Sequence, residues 1–415
     1  MLELFPDTAT DDAGELVLGG VRASALAAEH GTPLLVLCDQ TIRARARTYR
    51  ESAPDALVVY GTKAFPNVAV LRLLADEGLG ADVSTLGELR FALRAGLDGE
   101  TLVVHGNNKD ESELEAAARA GALVVVDALD EIERAQRAGV RRTLVRVTAG
   151  IEADTHEAIR TGHRGSKFGL PPDQALEAIR RLRPLGLHTH IGSQLVDVDA
   201  ARLTIDWLAG FAAECRSTLD WVPQVIDVGG GLGVRTSTAD AAPPSISDFV
   251  EGLLEQVEHA WSLHDLPRPR LVLEPGRSLV GPAGVTLYRV GSVKQAGTSL
   301  TYVAVDGGMS DNPRPQLYGA RYSALLANRL GDPADGSFRV AGKHCESGDV
   351  LIDSVALPAP RRGDVLAVPA TGAYTLAMAS NYNGVPRPAA VLVADGESRV
   401  IRRRETVEDL LAWET

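Results

Sequence analysis

Apolar residues are distributed along this chain in two textures. From about residue 55 to 275, short apolar β-type runs alternate with amphipathic stretches. The runs are ALVVY (56–60), ADV (81–83), TLVVH (101–105), LVVV (123–126), LVRV (144–147), LHTHI (187–191), VIDV (225–228) and LVLE (271–274), eight in all. Several are apolar throughout, as strands buried on both faces should be. The stretches between them carry helix signals. Thr85-Leu86-Gly87-Glu88 reads as a capping box, with Leu89, Ala92 and Leu93 behind it and Gly96 as the stop. Asp110 to Gly121 has an acidic first turn and a glycine end, and Asp127 to Gly139 repeats the plan. Eight such units in series predict a (β/α)8 barrel of the TIM type, with a doubly wound sheet as the alternative.

Beyond residue 280 the texture changes. VTLYRV (285–290), TYVAVD (301–306), VLIDSV (350–355), DVLAVP (364–369) and AAVLVA (389–394) are separated by Gly and Pro. They predict a C-terminal all-β domain, a β-barrel or β-sandwich. PLLVLCD (33–39) predicts a further strand that joins this domain, and TIRARARTYRESAP (41–54) a helix leading into the barrel. The expected division is an N-terminal segment 1–40 contributing to the β domain, a barrel at 41–280 and the β domain at 281–415.

Composition narrows the function classes. The net charge is −13 over 415 residues, which argues against a nucleic-acid or acidic-membrane partner. No apolar run reaches the length of a membrane span, and the first residues lack the layout of a signal peptide. Cys38, Cys215 and Cys345 are odd in number and far apart, so no disulfide framework or structural zinc site is expected. A reducing cytoplasm fits best. The bland reading of each thiol is a small buried residue.

A barrel concentrates chemistry just after its strands. Lys63, Asp82, Ser84, His105, His190, Ser193, Gly229-Gly230-Gly231, Glu274 and Arg277 all fall there. Lys63, if desolvated, is a nucleophile for an aldehyde; if solvated, it is an ordinary loop lysine. Glycines after strand seven suit a phosphate, though a tight turn explains them equally. Glu274 suits a ring nitrogen that must stay protonated, and Arg277 a carboxylate; an ordinary ion pair is the simpler alternative. His188 and His190 form a His-x-His pair that could bind metal, with help from the Asp and His residues of 154–163. The competing reading has His190 alone stacking on a flat cofactor, with Ser193 donating to its phosphate. Lysine, glycine loop, acid and histidine on one face converge on pyridoxal phosphate.

The quoted segments YGTKAFPN, HGNNKDESEL, VRVTAGIEADTHEAIRTGHRGSKFGL, HTHIGSQ, DVGGGLG, EPGR, VDGGMSDNPRPQLYGARY, GKHCESGDVL and ATGAYTLAMASNYNGVPRP resemble the barrel-type (fold type III) pyridoxal-phosphate decarboxylases, from about residue 20 to the C-terminus. HGNNK, SKFG, MSDNPRP and HCESGD resemble the diaminopimelate branch in particular. The resemblance implies a cytoplasmic carboxy-lyase that converts meso-2,6-diaminopimelate to L-lysine, the last step of lysine biosynthesis. It implies that Lys63 bonds the cofactor's aldehyde, Asp82 lies near the ring, His190 stacks on it and Glu274 faces its nitrogen. Ser193, Gly230, Gly231, Gly276, Arg277 and Tyr374 are then expected at the cofactor. Arg277, Arg314, Tyr318, Tyr374 and Glu346 are expected at the substrate. Cys345, the expected proton donor, and Glu346 would come from the partner subunit of a homodimer. Rival readings are a metal-dependent barrel hydrolase, a silent cofactor-binding homologue, a decarboxylase for another basic amino acid and a barrel-type racemase.

Overall fold

The computed structural model describes residues 2–148, 166–190, 192–298 and 300–415. The Asp and His residues of 154–163, weighed above as metal ligands, lie outside these. The described chain forms two compact units: one of residues 44–233 and 242–278, the other of 1–43, 234–241 and 279–415.

The first unit is a closed parallel barrel of eight strands. They are β1 (Leu57–Gly61), β2 (Gly80–Val83), β3 (Leu102–Val104), β4 (Leu123–Val126), β5 (Thr143–Arg146), β6 (Gly186–His188), β7 (Val225–Asp227) and β8 (Arg270–Leu273). Each pairs with its sequence neighbour, and β8 closes on β1 through Val272↔Leu57 and Leu273↔Val58. The eight apolar runs are these strands. Val59, Val103, Leu123, Val125, Leu144 and Val272 fill a shared core. Strand approach is close enough to demand glycine at the start of β6: a Cβ on Gly186 would sit 1.7 Å from the carbonyl oxygen of Val225.

The helix signals mostly hold, with two corrections. Asp110 and Glu113 form a complete capping box on helix Glu111–Ala120, and Gly121 ends it in the left-handed conformation. At the Leu86–Ala95 helix the box is half formed. Thr85 accepts from the Glu88 N–H, but the Glu88 carboxylate accepts from Ser84 N–H, one residue further back. Asp127 does not open the next helix, which spans Glu131–Arg137. Its carboxylate instead accepts from Gly169 N–H and lies 3.6 Å from Arg146, because strand β4 ends at the residue before it and delivers it to the barrel's face.

The second unit is built on a sheet ordered Val350–Leu357, Gly336–Ala341, Leu300–Val305, Gly284–Ala296, Leu34–Cys38, Ala389–Ala394, Glu397–Arg402. Val365–Pro369 pairs beside this path with Gly284–Ala296. The strand expected at 33–39 does join the β domain. It lies in mid-sheet, between Gly284–Ala296 and Ala389–Ala394, with all five residues buried. A small sheet of Thr10–Asp12, Glu15–Leu18 and Val21–Arg22 and a helix at Ala23–His30 were not foreseen. Those strands are two to four residues long, too short for periodicity to register. No helix among the described residues is long and apolar enough to cross a membrane.

Candidate active site

Six of the barrel strands deliver polar side chains to one place. Lys63 sits in the short turn Thr62–Ala64 that follows β1, and its Nζ lies 3.1 Å from Oδ2 of Asp82 on β2. The pair is asymmetric: the lysine side chain is 49% exposed and the aspartate 1%. The desolvated lysine considered from the sequence is therefore not what the structure presents, since the acid carries the burial. His105 follows β3, and its Nε2 lies 3.7 Å from Oδ1 of Asp82 and 2.5 Å from Oε1 of Glu274, which follows β8. His188, ending β6, places Nε2 3.9 Å from Oε2 of Glu274. Asp227, ending β7, is fully buried and accepts from Gly229 N–H at 2.9 Å.

Burial in this cluster decides charge. It pushes the Asp227 carboxyl well above the ordinary range, and the neighbouring Glu274 charge adds to the push. Burial would raise Glu274 too, but His105 and then His188 outweigh it and hold Glu274 well below the usual carboxylate range. His188 is kept neutral, chiefly by burial.

His190 stands two residues beyond β6, and its Nδ1 accepts from Gly230 N–H at 3.4 Å. Burial, then the nearby Lys63 charge, lowers its imidazolium pKa to about 3. The two histidines of HTHIGSQ therefore do not act as a pair: His188 faces Glu274 and His190 faces the glycine loop. That loop is tight. Gly229 and Gly231 take φ of 73° and 117°, and a Cβ on Gly230 would lie 2.2 Å from the Glu274 carbonyl oxygen. Ser193 accepts from the Arg277 guanidinium at 3.1 Å, and Arg277 opens the short helix Arg277–Val280 just after Gly276. The backbone N–H of Gly61 donates to Pro275 at 3.0 Å, tying the lysine turn to EPGR.

The remaining expected residues lie in the β unit. Arg314 is buried at the start of helix Arg314–Tyr318, donates to the Tyr322 hydroxyl at 3.0 Å and stands 5.6 Å from the Tyr318 ring. Tyr374 takes a φ of 58° in the turn after Val365–Pro369. Cys345 and Glu346 sit together on an exposed loop. Cys38 and Cys215 are buried, as their bland reading has it, but Cys345 is not. The loop's backbone is tied down on several sides. Asp349 accepts from His344 and Met309 N–H, Asn383 accepts from Cys345 N–H at 3.1 Å, and His344 Nε2 lies 2.8 Å from the Ser310 hydroxyl.

Sequence reasoning assigned no role to His105, Asp227 or the buried pair Lys109–Glu131 (2.8 Å). The available signal was a charged or imidazole side chain ending an otherwise apolar strand run.

The site suits a flat, polar, phosphorylated ring. Among the described residues, Oδ1 of Asp82 and both ring nitrogens of His188 are buried without a hydrogen-bond partner. Unmet buried polar atoms cost about 1–3 kcal/mol each and mark a place built to receive polar chemistry. The glycine loop leaves room for backbone N–H groups to meet a phosphate. Residues 39–281 match the pyridoxal-binding domain of the pyridoxal-dependent decarboxylases. This chain belongs to that family. The diaminopimelate decarboxylase of Actinosynnema pretiosum subsp. auranticum is 46% identical, covering 99% of this chain and 95% of that protein. That of Mycobacterium bovis is 44% identical over 100% and 99%. The crystal structure of diaminopimelate decarboxylase from M. jannaschii in complex with L-lysine superposes with a TM-score of 0.92 at 30% identity, covering 99% and 98%. Within the pyridoxal-dependent decarboxylases the chain thus stands in the diaminopimelate branch, and its cofactor is pyridoxal phosphate.

Proposed function

We propose that this chain removes the carboxylate from the D-configured end of meso-2,6-diaminopimelate, releasing carbon dioxide and L-lysine. The observation that carries the reading is Glu274, a carboxylate buried just after β8 with two imidazoles beside it, the kind of group that a ring nitrogen kept protonated requires. When bound, pyridoxal phosphate supplies the sink for the electron pair left behind by carbon dioxide.

Lys63, whose amine lies 3.1 Å from Asp82, would be the residue that holds the cofactor covalently. His190 would offer the cofactor a flat ring face, and its lowered pKa of about 3 keeps that face uncharged at neutral pH. Ser193 and the N–H groups of Gly230 and Gly231, with Gly276 and Tyr374, take the phosphate. Arg277, Arg314, Tyr318 and Tyr374 hold substrate carboxylates, the arginines through their bidentate geometry. Cys345 delivers a proton to the carbon that lost its carboxylate, and Glu346 holds the distal ammonium. Both come from a second copy, so the working unit is a homodimer. Their exposure on a braced loop supports this, since a loop that serves another subunit must be open but ordered. Three free thiols and a free amino acid as substrate support a cytoplasmic setting.

The deciding experiment offers the cofactor-loaded protein meso-diaminopimelate, L-lysine, L-ornithine and L-arginine and measures carbon dioxide release. Release from meso-diaminopimelate alone is expected. A preference for ornithine would overturn the substrate and leave the family standing.

A further inference from the structure

The scheme above leaves the two histidines beside Glu274 without a task of their own. Their rings meet edge-on, with centroids 4.8 Å apart, and both turn a nitrogen to the same carboxylate. His105 is the nearer, at 2.5 Å. It is also firmly placed. Its backbone N–H donates to Val83 at 2.8 Å. The loop that follows turns at Gly106, with φ 117°, and ends at Lys109, whose ammonium is 1% exposed. That ammonium donates to the Gly106 carbonyl and pairs with Glu131, which is 2% exposed, at 2.8 Å. A buried ion pair with no contact to the reacting atoms thus pins the loop that begins at His105.

We propose that His105, seconded by His188, is a positioning residue for Glu274: it lowers the carboxylate's proton affinity so that the proton shared with the cofactor rests on the ring nitrogen. This builds on the decarboxylase reading. The physical reason is a competition. Glu274 is buried beside a second acid, Asp227, and both facts favour a neutral carboxyl group. A neutral Glu274 would donate to an unprotonated ring nitrogen, which draws electrons weakly. A ring N–H or imidazolium at Oε1 stabilises the carboxylate and sends the proton the other way. Asp82 lies 3.7 Å from the same Nε2.

The test loads wild type, His105→Leu and His105→Gln with pyridoxal phosphate labelled with nitrogen-15 in the ring and reads the nitrogen chemical shift. Wild type is expected in the protonated range. His105→Leu should move toward the unprotonated range, and kcat should fall about tenfold for each unit of lost proton affinity while KM holds. His105→Gln keeps an N–H donor and should recover much of both. A second reading needs only binding: wild type should prefer pyridoxal phosphate over its 1-deaza analogue, and His105→Leu should lose most of that preference. A protonated nitrogen in cofactor-loaded His105→Leu, or an unchanged preference, overturns the proposal. If His105→Leu fails to fold, an unprotonated nitrogen in wild type, or no recovery in His105→Gln, overturns it as well. A wild type that binds no cofactor, or releases no carbon dioxide from meso-diaminopimelate, would instead defeat the decarboxylase reading itself.

Discussion

The two ends of the proposed chemistry are built in opposite ways. On the barrel, Asp82, His105, His188, Asp227 and Glu274 are buried against one another, and burial raises the pKa of Asp227 and lowers that of His188. On the β unit, Cys345 and Glu346 are exposed, and what is ordered is the backbone beneath them. The barrel group is complete within one unit of one chain. The cysteine loop is prepared but needs something brought to it. A cofactor site can afford permanent burial, whereas a group that reads a changing substrate must stay accessible.

The largest expected effect lies at the barrel. Lys63→Ala should abolish turnover and the visible absorbance of the bound cofactor, since no other amine stands in its place on Asp82. Retained activity would break the comparison at its root. Next comes the exposed loop. Cys345→Ala should load cofactor normally yet lose roughly 10²–10⁴ in kcat, the usual worth of a placed proton donor. Mixing Cys345→Ala with Lys63→Ala should restore partial activity if each site draws on two copies, and no restoration would argue for sites made within one chain.

A third test concerns stability alone. Lys109→Met leaves Glu131 buried without its partner and should destabilise the fold by about 3–5 kcal/mol in chemical denaturation. Breaking the exposed pair Arg22–Asp12 should leave the denaturation midpoint essentially unchanged. A further effect, read in the pH dependence of stability, lies in the β unit. Asp311 bonds to the Tyr288 hydroxyl at 2.5 Å, and burial raises its pKa from 3.8 to about 7. A raised folded-state value means the stability it contributes is full below pH 3.8 and is lost as pH rises through 7. Asp311→Asn should flatten that part of the stability profile; an unchanged slope would show that Asp311 does not set it.

Much of this was legible before any coordinates. The barrel strands announced themselves because a strand buried on both faces must be apolar throughout, and Lys63, Glu274 and the glycine loop stood out where those runs ended. The short N-terminal strands left no such mark. Nor did the diversion of Glu88 to Ser84 or of Asp127 to Gly169, because local motifs such as capping boxes compete with tertiary partners that sequence spacing does not reveal. Lys63 looked like a residue made reactive by desolvation, but its neighbour Asp82 bears the burial.

By itself the sequence determined the barrel, the later β domain and the residue types the chemistry uses, since periodicity and strand-end position are properties of the chain's order. The tertiary structure alone decided which acid lies beside which histidine. Those outcomes depend on distance and burial among residues as far apart in sequence as Asp82 and Glu274. His105 shows the division most clearly: in sequence it is a histidine ending an apolar run, and in space it is the nearest group to the acid that the cofactor needs.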